Sequence, residues 1–195
     1  MEQDIPVKII ILGEENAGKS CIITKYLTGI FDEHQKNTVG AQFMTKRTIF
    51  QNKTLKLNIW DTAGQERYQS FSKMYCRDAK AAILVYDLSN PSSIVAMIKW
   101  YEIMSEDTLP QDCLLFVAGS KCDIGSYSGE IKESIDDFCF STKSDHFLVS
   151  AKTGDGIEEL FSSIIQQYCK GLFRTKKSII LNKSDMQKSK KKSCC

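Results

Sequence analysis

Histidine is almost missing from this chain: its 195 residues include only His34 and His146. A histidine-based metal centre or catalytic triad would have to grow around one of two isolated side chains, whose ordinary place is the core or the surface. No two cysteines stand at C-x-x-C spacing. Of the eight present, six are scattered at positions 21, 76, 113, 122, 139 and 169, mostly inside apolar runs, the pattern of reduced core residues in a cytosolic protein. No apolar run approaches the ~18 residues of a membrane span. The start, MEQDIPVKIIIL, has no basic stretch ahead of its short apolar run, so a signal peptide is not expected and any membrane would be met from the cytosolic side.

Net charge is also scarce, at +2, but it is unevenly placed. Residues 174–195 carry +7, from Arg174 and seven lysines against Asp185, which leaves the rest of the chain near −5. A mildly acidic body gives no reason to expect nucleic-acid binding, whereas a basic end calls for an acidic partner surface such as a membrane leaflet. With 42% apolar content the length suits one domain and a tail: a folded unit over 1–172 and a Lys/Ser-rich segment over 173–195 expected to be disordered.

Short β-rich runs alternate with helical patterns and no internal repeat is visible. VKIIIL (7–12), AAILVYDL (81–88), LLFVA (114–118) and HFLVS (146–150) read as buried strands, and AQFMTKRTIF (41–50) with LKLNIW (55–60) as a hairpin about QNKT. Helices are expected around 19–27, 68–78, 92–105, 130–140 and 156–170. The alternation predicts an α/β fold: a mostly parallel six-stranded sheet with one antiparallel edge hairpin, helices on both faces, and ligands at the carboxyl ends of the strands.

Directly after the first strand comes GEENAGKS (13–20), which matches G-x-x-x-x-G-K-[S/T]. In such a loop the glycines allow a tight turn, and successive backbone N–H groups face a phosphate chain. Lys19 can then reach the β and γ phosphates and Ser20 can ligate Mg²⁺. WDTAGQERY (60–68) ends the third strand. Asp61 there can hold Mg²⁺ through water, and Gly64 lets a backbone N–H approach a γ-phosphate.

These segments, with TVGAQF (38–43), GSKCD (119–123) and SAK (150–152), stand in the order and spacing of the Ras superfamily of small GTPases. The chain resembles its Rab branch most closely, through KMYCRDAKAAILVYDLSNPSSI (73–94) and the terminal CC. The resemblance spans roughly residues 5–170 and implies a P-loop G domain that binds GTP and GDP with Mg²⁺. On that pattern Gly13, Glu14, Glu15, Asn16, Ala17, Gly18, Lys19, Ser20 and Cys21 form the phosphate loop. Thr38 and Gly64 sense the γ-phosphate, and Ser20, Thr38 and Asp61 hold the metal. Gln65 orients the attacking water. Phe31, Ser120, Lys121, Asp123, Ser150, Ala151 and Lys152 enclose the guanine.

Two positions depart from the family. Ser120 stands where the base loop carries asparagine; being shorter, it is expected to make one hydrogen bond, with a water to help it reach, and to speed nucleotide release. Glu15 stands where Rabs carry a small residue. Its carboxylate is expected either to crowd the γ-phosphate and slow hydrolysis or to point to solvent.

The terminal Cys194 and Cys195 resemble the Rab ending on which both cysteines receive geranylgeranyl chains. Two chains beside a basic patch anchor stably to an anionic leaflet. The resemblance therefore implies a vesicle-traffic switch at the cytosolic face of an intracellular membrane, cycling with the cytosol. It implies effectors reading switch I (about 31–43) and switch II (about 61–76), an exchange factor, a GTPase-activating protein, a dissociation inhibitor and a prenyltransferase escort. The competing reading is a degenerate GTPase that no longer cycles and acts as a membrane-bound scaffold. A P-loop kinase or ATPase is disfavoured by Asp123 and the SAK segment.

Overall fold

Apolar residues at period two place alternate side chains on opposite faces of a strand, and here both faces are covered. The computed structural model describes residues 4–38, 40–64, 74–105 and 108–172. Six strands, β1 (Ile5–Gly13), β2 (Ala41–Phe50), β3 (Lys53–Thr62), β4 (Ala81–Asp87), β5 (Leu114–Ser120) and β6 (Asp145–Leu148), form one sheet in the order β2-β3-β1-β4-β5-β6. The β2–β3 pair is antiparallel and every other pairing is parallel. The expected architecture is thus observed. The hairpin turns on Gln51 and Asn52, both at positive φ (47° and 61°), the geometry of a two-residue turn between twisted strands.

Helices α1 (Lys19–Thr28), α2 (Ser92–Ser105), α3 (Gly129–Thr142) and α4 (157–172) fill the crossovers. Val7, Ile9, Ile11, Leu57, Ile59, Ile83 and Val85 pack beneath Ile22, Ile23 and Tyr26 of α1 and Leu160, Phe161 and Ile164 of α4. The intervening residues Ile10, Leu12, Leu84, Tyr86 and Val117 face Met97, Trp100 and Met104 of α2 and Ile135 and Phe138 of α3. All seven residues of β4 are buried, as a central parallel strand requires.

Several limits shift from expectation. β1 begins two residues earlier and runs to Gly13, β5 extends to Ser120, and β6 starts at Asp145 and ends at Leu148. Of the helix expected at 68–78, the described residues hold helical positions 74–76. The expected disordered tail over 173–195, with Cys194 and Cys195, lies outside the described residues, as does Gln65.

β1 pairs β3 on one side and β4 on the other, so the chain reverses direction across the sheet at β1. In an open α/β sheet that reversal leaves a crevice at the carboxyl ends of the strands. The ends of β1, β3 and β5 are Gly13, Thr62 and Ser120, which brings three of the sequence motifs to one place.

Candidate nucleotide site

At the end of β1, Gly13 runs so close to β4 that a Cβ would overlap the Val85 carbonyl oxygen, and its φ of 146° is one that glycine alone adopts easily. Asn16 (φ 62°) and Gly18 (φ 90°) turn the chain into α1, whose first N–H groups open toward the crevice. Buried Lys19 sends its Nζ back over the loop, donating to the carbonyl oxygens of Gly13 (3.1 Å) and Glu14 (2.7 Å). Burial pulls its pKa down to about 8, against the opposing pull of Asp61, Glu15 and Glu14.

Three oxygens converge beside it. Ser20 Oγ donates to Asp61 Oδ2 and lies 2.7 Å from Thr38 Oγ1, which itself donates to Asp61 Oδ2 at 3.3 Å. Asp61 Oδ1 is buried without a partner. Burial pushes the Asp61 carboxyl up, opposed by Ser20, Lys19 and Thr38. Two hydroxyls and a carboxylate are hard donors, and an orphaned carboxylate oxygen among them is uncompensated, so the donor set fits Mg²⁺. Gly64 packs against the same loop; a Cβ there would overlap the Glu15 nitrogen and the Glu14 carbonyl.

The opposite end is built from the loops after β5 and β6. Ser120, almost fully buried, donates from Oγ to the Ala17 carbonyl oxygen at 2.6 Å. This corrects the expectation that the shorter side chain needs a water: β5 continues through Ser120 and carries the hydroxyl to the phosphate loop directly. Lys121, at φ 58°, reaches back to Asp87 at the end of β4, with Nζ 2.6 Å from Oδ2. Burial pushes the Asp87 carboxyl up, but hydrogen bonds from Lys121 and Ser89 outweigh it and hold the group below the usual carboxylate range. Ser150 donates from Oγ to Asp123 Oδ1 at 2.7 Å.

Together these elements line a cavity of about 400 Å³, the size of a small-molecule site. Of the sequence-predicted residues, Glu15, Asn16, Gly18, Lys19, Ser20, Cys21, Phe31, Thr38, Gly64, Ser120, Lys121, Asp123, Ala151 and Lys152 stand on its wall. Gly13, Glu14, Ala17, Asp61 and Ser150 stand behind the wall and hold other residues in place. Glu15 is not loose: its Oε1 accepts a hydrogen from Asn37 Nδ2 at 2.7 Å, in an exposed setting.

Sequence reasoning missed Asp87, Glu33 and Asn37, each of which touches a predicted residue. It also missed an aromatic row that begins on the edge strand β2. Phe43, 52% exposed on β2, lies 4.9 Å from the Trp60 ring, which lies 4.9 Å from Tyr75. The available signal was an aromatic at a solvent-side position of an edge strand, which burial alone does not explain.

A family model described as the Ras family matches residues 8–170. The Ras-like GTP-binding protein RYL2 of Yarrowia lipolytica is 31% identical, over 99% of this chain and all of that protein. Rab-31 of Homo sapiens is 35% identical over 83% of this chain and 82% of its own length, and the GTP-binding protein YPT53 of Saccharomyces cerevisiae 33% identical over 82% and 75%. With a phosphate loop after β1, an oxygen cluster at the end of β3 and a carboxylate-bearing loop after β5 around one cavity, this chain belongs to the Ras family and is a Rab-like small GTPase.

Proposed function

We propose that the cavity binds GTP and GDP, that the chain hydrolyses GTP slowly, and that it serves as a membrane-attached switch in vesicle traffic. The observation that carries this reading is the pairing, in one cavity, of the Ser20–Thr38–Asp61 oxygen cluster at one end with Asp123 at the other. A carboxylate can accept two hydrogens from the N–H edge of guanine, an edge adenine does not present.

In this division of labour the phosphate-loop N–H groups from Gly13 to Cys21 and the Lys19 ammonium cradle the phosphates. Ser20, Thr38 and Asp61 would hold Mg²⁺, which when bound neutralises charge on the phosphate oxygens. Gly64 offers its N–H to the γ-phosphate and Gln65 orients water. Phe31, Lys121, Ala151 and Lys152 enclose the base, while Ser150 holds Asp123 and Asp87 holds Lys121. Because Thr38 and Gly64 belong to segments that flank the cavity, loss of a phosphate changes what those segments can bind. Effectors would read that change at the Phe43–Trp60–Tyr75 row.

Regulators of loading and hydrolysis follow from the same cycle: an exchange factor, a GTPase-activating protein and a dissociation inhibitor. We read the segment 173–195 as a basic tail outside the 1–172 unit, with geranylgeranyl chains on Cys194 and Cys195, and place the protein at the cytosolic face of an intracellular membrane. Bare thiols in mass spectrometry of the native terminus would remove the lipid part. Ser120's bond to Ala17 favours an intact pocket over the scaffold alternative, because it ties the base loop to the phosphate loop.

The test is to release and identify whatever nucleotide co-purifies with the full chain, then to titrate GDP, GTP and ATP by calorimetry with Mg²⁺. Guanine nucleotide at one per chain with no ATP binding is expected. A folded chain that binds neither guanine nucleotide would replace the switch with the scaffold.

A further inference from the structure

Asn37, the partner of Glu15, immediately precedes Thr38, whose hydroxyl lies 2.7 Å from Ser20 Oγ. Glu15, Asn37 and Thr38 all line the cavity, and the 2.7 Å bond from Asn37 Nδ2 to Glu15 Oε1 ties the phosphate loop to the segment carrying Thr38. It is an amide-to-carboxylate bond, whose exposed setting tempers it. It is made between two protein side chains. At the other end of the same segment Glu33 meets Lys152 at 3.3 Å, with both side chains more than half exposed, a weak pair by comparison.

We propose that Glu15 is a positioning residue: its carboxylate holds Asn37, and through it Thr38, against the phosphate loop, slowing the release of GDP and GTP alike. The proposal rests on the reading of the cavity as a guanine-nucleotide site. It gives the opposite sign from simple repulsion between Glu15 and a γ-phosphate, in which removing the carboxylate would retain GTP longer and leave GDP unaffected.

The experiment measures release of a fluorescent GDP and a fluorescent non-hydrolysable GTP analogue from the full chain, chased with excess unlabelled nucleotide in Mg²⁺. The chains compared are wild type, Glu15→Ala, Glu15→Gln, Asn37→Ala and the Glu15→Ala/Asn37→Ala double variant. Either alanine variant is expected to release both nucleotides about three- to tenfold faster, with the double variant no faster than the faster single one. Glu15→Gln keeps an Oε1 acceptor and is expected to stay within about twofold of wild type. Asn37 lies on an exposed loop, so its alanine variant tests the tie without a folding defect. Asn37→Ala releasing at the wild-type rate, or Glu15→Ala retaining the GTP analogue longer, overturns the proposal while normal wild-type uptake leaves the site reading standing. A wild-type chain that takes up no guanine nucleotide overturns both.

Discussion

Ser120 Oγ and the Ala17 carbonyl oxygen lie 2.6 Å apart across 103 residues of sequence, and this bond joins the base-side loop to the phosphate loop. The serine hydroxyl spends its one hydrogen on that tie, so at this position the side chain has no second hydrogen to donate to a base.

Removing the tie should therefore loosen the pocket without abolishing guanine preference. Ser120→Ala leaves the buried Ala17 carbonyl without this partner, a loss on the order of 1–3 kcal/mol. GDP release should accelerate about tenfold or more while ATP still fails to bind. Stopped-flow release of a fluorescent GDP checks this; an unchanged rate would show that the tie does not hold nucleotide.

At Gly64 any side chain collides with the backbone of Glu14 and Glu15, which cannot move without shifting the phosphate loop. Gly64→Ala should lower GTP affinity at least about tenfold, with a smaller effect on GDP, and should lower the melting temperature. Paired calorimetric titrations with the two nucleotides give the ratio that decides it.

Metal dependence should run through Ser20 and Asp61. Chelating Mg²⁺ is expected to speed GDP release about tenfold or more in the wild-type chain. Ser20→Ala removes a hydroxyl that meets both Thr38 and Asp61, and should release GDP fast whether or not chelator is present. A Ser20→Ala chain as sensitive to chelator as wild type would contradict the assignment.

Acid stability should track His146, away from the cavity. Its Nε2 lies 3.0 Å from Tyr86 Oη, and its ring packs against Tyr86 and Tyr127. Burial pulls its pKa down to about 4, with Asp136 opposing only in part. Below the ordinary value near 6.5 the unfolded chain takes up the proton first, so this contribution is fully present above that value and is lost as pH falls toward 4. The loss should be roughly 1–2 kcal/mol, discounted for partial solvent contact. Urea unfolding from pH 7 to 4.5 should show it, and His146→Gln should flatten the slope.

The fold was legible because its signals are local. Short β-rich runs located all six strands, the motif G-E-E-N-A-G-K-S named the phosphate loop, and the order of segments identified the family. Strand limits were less legible: β5 continues to Ser120 because Asp87 of β4 pairs with it, and a pairing partner 33 residues away leaves no mark in the local pattern. That extension is what sets Ser120 within reach of Ala17.

What the amino-acid sequence determined by itself was which chemical groups are present and which segments carry them: a lysine and a serine after one strand, aspartates after two others. Tertiary structure decided the partnerships among them. Ser20 meets Asp61 because β1 lies beside β3 out of chain order, while Lys121 meets Asp87 and Phe43 meets Trp60 because β4 pairs with β5 and β2 with β3. A hydrogen bond acts over about 3 Å, so its partner is chosen by that arrangement of backbones and not by distance along the chain.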